Sequence, residues 1–229
     1  MAHMHYLHFT GILFFVISIV VGQIFRSKFT QYAHKRLRAD LSGAEVAAKM
    51  LQQNGIEGVR ILCDPGHLTD HYNPISKTVN LSQEVYHGRN AAALAVAAHE
   101  CGHAIQDAQG YVFLRFRSAM VPALSSTSHF MPWIILLGII LVNTTPLPLM
   151  AGIALFSCTT LFSFVTLPVE FDASRRALAW IDQQGVVTSK EHQMAKEALW
   201  WAAMTYVVAA LASLAQLMRL LLILRERRQ

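Results

Sequence analysis

The apolar positions of this chain fall into long blocks separated by two polar stretches. Phe9 to Phe25 is apolar or small throughout, apart from Thr10, Ser18 and Gln23, and its length is at the lower limit for crossing a bilayer. It predicts a transmembrane helix over 9–25. Its positive charges follow the apolar run, the reverse of a cleavable signal peptide, so the helix is expected to stay in the mature chain. Between Ser118 and Val169 there is no Asp, Glu, Lys or Arg, and Asn143-Thr-Thr-Pro-Leu-Pro148 splits the run into two halves that can each span a membrane. A transmembrane hairpin over 118–143 and 147–169 is predicted. The last block, 198–224, predicts a fourth membrane helix or a re-entrant one, with Thr205, Tyr206, Ser213 and Gln216 marking a face packed on other helices.

The polar stretches follow other rules. In 40–117, Ser42 and Glu45 form a capping box ahead of Val46, Ala47, Met50 and Leu51 at helical spacing, and Asn54-Gly55 ends that helix. Lys77 to Leu81 has the β-branched alternation of a short strand, after the turn-rich loop TDHYNPIS. An Ala-rich helix is predicted over Asn90 to Gln109, with Gly110 as its terminus. The second polar stretch, 170–197, lies between the hairpin and the last block. The expected architecture is mainly α: one membrane-embedded domain over 1–229 with about four transmembrane helices and a small α+β region.

Composition sharpens this. The 229 residues are 54% apolar and only 14% charged, too greasy for a soluble protein of this size. The 19 Lys and Arg exceed the 14 Asp and Glu, yet they form no stripe that would suit nucleic acid. They cluster beside apolar blocks, at Arg26, Lys28, Lys35, Arg36 and Arg38 and at Arg225, Arg227 and Arg228, which favours anionic lipid headgroups. Cys63, Cys101 and Cys158 have no paired spacing, and reduced thiols are expected. The histidine-rich start, with His3, His5 and His8, carries no functional weight.

The chemistry concentrates in AAHECGHAIQ, which contains H-E-x-x-H at His99, Glu100 and His103. On a helix, positions i and i+4 share a face, so both imidazoles can reach one ion while Glu100 takes a proton from its bound water. Cys101 projects off that face and is expected to be small buried filler. Coincidence is the bland alternative. The run Ala92 to Ala98, however, marks a buried helix, which should not carry two His and a Glu unless something compensates them. Zn2+ does so.

The segments TDHYNPISKTVNLS, HECGHAIQDAQGY and LPVEFDASRRA resemble the YugP family of membrane zinc metallopeptidases, over nearly the whole chain. More distantly, the order of motif helix, membrane hairpin and E-x-x-x-(polar)-R is similar to the HtpX and CAAX-prenyl-protease group. That resemblance implies a zincin-like catalytic region of the gluzincin type over 40–117, one Zn2+ per chain, and Glu170 as the third ligand. Ser174 stands where the distant group usually has Asp, so that residue's orienting role does not carry over.

Topology points to Glu170 separately, because two crossings after His103 return the chain to the side it left. Asp172, Asp182, His192, Asp70 and His71 compete for the role. Asp107, four residues after His103, could accept the second ring N–H of a zinc histidine. His71, Tyr72 and Arg176 are candidates for stabilising an oxyanion, and the strand at Val79 to Leu81 for pairing with an extended substrate. The expected function is an endopeptidase acting on membrane or membrane-adjacent proteins. A catalytically silent metal-binding scaffold is the alternative; a transporter or channel is disfavoured by the uncharged spans. The expected location is a bacterial-type inner membrane. Basic residues flanking the 40–110 region, including Arg115 and Arg117, orient the site toward the cytoplasm. The basic tail RERRQ conflicts with this unless the last block is re-entrant or the orientation is reversed.

Overall fold

In chain order the elements are α1 (Ala2–Ala33), α2 (Gly43–Gln53), β1 (Arg60–Asp64), β2 (His71–Asn73), β3 (Thr78–Ser82), α3 (Gln83–Tyr86), α4 (Ala91–Ala108), α5 (Val112–Ser128), α6 (Met131–Leu141), α7 (Leu147–Gln184) and α8 (Ser189–Glu226). The computed structural model describes residues 2–185 and 187–226, with side chains from Thr10 onward. The side chains of His3, His5 and His8, and the tail residues Arg227 and Arg228, lie outside the described residues. The chain divides into two compact units: Met1–Val20, Phe116–Leu167 and Thr205–Gln229 form one, and Val21–Arg115 with Pro168–Met204 the other.

The first unit is helical. Thr10–Ala33, Leu147–Gln184 and Ser189–Glu226 are each long and apolar enough to cross a membrane, and α5 with α6, bent by 56°, makes a fourth if the pair is one span. The helix expected over 118–143 is therefore two pieces. Pro132 in the first turn of α6 supplies a reason, since it lacks an N–H and disfavours helical backbone before it. The hairpin closes tightly on glycine: a Cβ at Gly138 would lie 2.5 Å from Leu149 Cα, and one at Gly152 would lie 2.8 Å from Ile135 Cγ1. Small residues let the α6 and α7 backbones approach there, around a centre of Val142, Leu149, Ile153 and Leu220. The span expected over 147–169 and the start of the segment expected from 170 share one helix. Helix α7 runs unbroken through Pro168 and Glu170 to Gln184, and α8 begins at Ser189. The last block forms one continuous 38-residue helix, α8.

In the second unit, α2 starts as its capping box dictates. Ser42 Oγ accepts from Glu45 N at 3.2 Å, and the Glu45 carboxylate accepts from Ser42 N at 2.7 Å. Asn90 caps α4 by accepting from Ala93 N at 2.9 Å. Gly110, just past the end of α4, has φ +66°, a left-handed conformation that glycine adopts without strain. The sheet order is β1-β3-β2, with β1 parallel and β2 antiparallel to β3. Strand β3 is therefore central, paired with β1 over 60–64 and with β2 over 71–73. This corrects the expectation that Val79 to Leu81 could take an added substrate strand: Val79 is already paired on both sides. The sheet, α2 and α4 bury Val46, Met50, Val79, Leu81, Leu94 and Ala98 in one core.

Candidate metal centre

His99 and His103 sit one turn apart on α4, so their rings leave the same face, with centroids 4.7 Å apart. Helix α7 brings Glu170 to them. Its Oε2 lies 3.2 Å from His99 Nε2 and its Oε1 3.8 Å from His103 Nε2. Candidate ligand atoms of these three residues lie within 4.8 Å of one another, the one such group of three among the described residues. A tetrahedral zinc with bonds of about 2.0–2.1 Å holds its ligand atoms roughly 3.3 Å apart, so the trio fits that ion. Exposure is only 5% for His103, 7% for Glu100 and 3% for Glu170. Two carboxylates and an imidazole buried this closely are costly unless a cation compensates them.

The approach of α7 to α4 depends on Gly102. A Cβ there would meet Ala173 O at 2.6 Å and Ala173 Cα at 3.0 Å, and these backbone atoms cannot rotate away. Ala173 is three residues past Glu170, so anything that spreads the helices also withdraws the carboxylate. Gly102→Val is expected to destabilise the protein by about 1–3 kcal/mol and to lower its zinc content. Thermal unfolding and metal analysis of the purified variant check both effects. Cys101 faces the other way, fully buried, its Sγ 3.6 Å from Ala47 O, and burial pushes its thiol pKa well up.

Burial pushes the Glu100 carboxyl up to about 7; the neighbouring His99 pulls it back, while Glu170 and Asp70 push it further up. The Tyr72 backbone N–H also favours the ionised form, which sets β2 beside this group. Ser174, one turn beyond Glu170, has its Oγ 3.1 Å from His99 Nδ1, so a hydroxyl here stands against the first histidine.

The other candidates are engaged differently. Asp107, a candidate for orienting a zinc histidine, accepts from Tyr72 OH at 2.6 Å and from Lys77 Nζ at 2.5 Å. The attraction of a lysine and a phenol from the sheet decides its direction, and the ring nitrogen Nδ1 of His103 faces Gln106 Oε1 at 3.0 Å instead. Tyr72 thereby has its hydroxyl committed to Asp107. His71 lies exposed with Nδ1 2.7 Å from Thr69 O and Nε2 3.2 Å from Asn80 Nδ2. Arg176 binds Asp172 at 2.5 Å and Gln109 at 2.7 Å. Among the competing ligands, Asp172 is held by Arg175, Arg176 and Gln106. Asp182 pairs with His192 at 3.0 Å, and Asp70 accepts from Ser82 N at 2.8 Å. Gln106 is the residue that sequence reasoning missed. Its signal was available, since an amide on a buried Ala-rich helix needs partners as much as the histidines do.

A mainly helical chain with membrane-length helices and a largely buried His-His-Glu cluster that could hold a metal ion has the outline of a membrane metalloprotein. The chain belongs to the family described as "Putative neutral zinc metallopeptidase", whose model matches residues 7–225. It is similar to the "Putative membrane protease YugP" of Bacillus subtilis (strain 168), 39% identical over 198 residues, which is 86% of this chain and 87% of that one. No solved structure matches it. Family membership supports a zinc-dependent peptidase, and hence a peptide substrate.

Proposed function

We propose that this chain is a membrane endopeptidase of the gluzincin type, with a zincin-like catalytic region, in which His99, His103 and Glu170 hold one zinc ion. The carrying observation is that these three residues, 71 positions apart from His99 to Glu170, bring their ligand atoms within 4.8 Å beside a buried glutamate. When bound, zinc lowers the pKa of a water and polarises the scissile carbonyl. Glu100 would take a proton from the attacking water and return it to the leaving amine, while Ser174 Oγ steadies His99. An extended peptide would add to the outer edge of β2, where the Tyr72 amide adjoins Glu100, in place of the central β3. The substrates are peptide chains of membrane or membrane-adjacent proteins. A silent metal scaffold would need the histidines but would have no use for Glu100. Hydrolysis of an unfolded test protein by the purified, zinc-loaded chain, abolished by chelator and restored by zinc, is the expected result; zinc bound without hydrolysis would favour the scaffold.

We read the α5–α6 pair as one broken span, giving four crossings; the return of the chain along α7 to His99 and His103 supports that reading. The cluster Arg26 to Arg38 then sets the site on the cytoplasmic face of a bacterial-type inner membrane, with the tail opposite. A cysteine placed at Ile75, in the exposed turn just after Asn73 and β2, should resist an impermeant thiol reagent in intact cells. Strong labelling would reverse the orientation.

A further inference from the structure

We propose that Gln106 is a positioning residue that fixes which nitrogen of His103 is available to the metal; this rests on the zinc reading above. The Gln106 side chain is fully buried and makes three contacts. Its Nε2 donates to Val169 O at 2.8 Å and to Asp172 Oδ2 at 3.0 Å, and its Oε1 lies 3.0 Å from His103 Nδ1. A main-chain carbonyl can only accept, so the nitrogen end of the amide must face Val169. The oxygen end must then face His103, and an amide oxygen can only accept. Nδ1 of His103 therefore carries the hydrogen, and Nε2, the atom turned toward Glu170, keeps its lone pair for a cation.

The amide is itself held. Asp172 fixes the second Nε2 hydrogen, and Arg175 and Arg176 clamp Asp172. Arg176 reaches on to Gln109 Oε1 at 2.7 Å, one residue past the end of α4. The chain of contacts starts on the helix that bears both histidines and ends at its C-cap, with α7 supplying Val169, Asp172 and the arginines between. The two histidines are thus oriented by different means, His99 by a hydroxyl and His103 by an amide that has no rotational choice.

The test uses the purified full chain in detergent, with zinc affinity read by competition against a chromophoric chelator and site geometry read from the absorption bands of bound Co2+. Gln106→Met keeps the volume and removes the acceptor. It should weaken zinc binding by about 10- to 100-fold and change the Co2+ bands. A merely structural glutamine would lower thermal stability and leave the affinity of the folded protein unchanged. Gln106→Glu combined with Asp172→Asn keeps a carbonyl oxygen against His103, while the carboxyl hydroxyl replaces the amide N–H toward Val169 O and the amide placed at position 172 donates to that hydroxyl, so the pair should restore the wild-type Co2+ bands. Zinc affinity of Gln106→Met within about twofold of wild type, with unaltered bands, overturns the inference. If that variant does not fold, the exchanged pair decides: wild-type bands support the inference, and folded protein with altered bands refutes it. Wild-type protein that takes up neither ion removes the zinc reading together with this inference, whereas tight wild-type binding matched by Gln106→Met removes the inference alone.

Discussion

Glu100→Gln is expected to keep its zinc and to lose peptide hydrolysis by at least about 10²- to 10⁴-fold, the usual cost of removing a general base. The amide preserves the size of the side chain and the packing around it, so α4 should be undisturbed. What it loses is the ability to accept a proton, which at this rate ratio corresponds to roughly 3–5 kcal/mol of transition-state stabilisation. The environment makes the substitution unusually clean for folding, because burial already pushes this carboxyl up to about 7 and a neutral amide escapes that cost. Metal content and hydrolysis rate, measured on the same sample, decide the matter. Near-wild-type turnover with zinc bound would remove Glu100 from the chemistry.

Glu170→Ala should behave differently, losing the metal as well as the activity. Loss of a group that merely orients a ligand weakens metal binding by about 10- to 100-fold, so loss of a ligand itself should exceed that. His99 and His103 would remain, and two imidazoles are too few for a catalytic zinc site of the usual three protein ligands. Equilibrium dialysis against zinc buffers, with Glu100→Gln as the control, measures the difference. Wild-type occupancy in Glu170→Ala would mean that another group completes the site, although the Glu170 carboxylate lies 3.2 Å from His99 in the present geometry.

The parts of this arrangement that could be read from sequence are those set by local spacing. His99 and His103 share a face because any helix puts i and i+4 together, and the α2 capping box and the Asn90 cap of α4 are likewise short-range matters. Glu170 is further away, but the uncharged run between Ser118 and Val169, with its Asn-Pro turn, made its return to the histidines a matter of counting crossings. What could not be read depends on groups that meet only after folding. Nothing near Asp107 in the sequence reveals that Tyr72 and Lys77 will claim it. Gln106 could be marked as an amide in need of partners, but nothing local marks Val169 and Asp172 of α7 as those partners. Strands β1 and β2 were invisible for another reason: at five and three residues, with β1 largely exposed, they carry too little alternation to register. The bend between α5 and α6 escaped because the run without charged residues, from Ser118 onward, continues across it.

The orientation of Cys101 has a practical consequence for thiol chemistry. Alkylating and oxidising agents attack the thiolate, and a sulfur that is fully buried with its proton held by burial offers almost none. Cys158 lies within the apolar first half of α7, where hydrocarbon would exclude both ionisation and an impermeant reagent. Cys63, exposed on β1, is then the native sulfur left open to water-soluble maleimides. Cys63→Ser alone should give a background quiet enough for site-directed labelling, so Cys101 and Cys158 can stay in place.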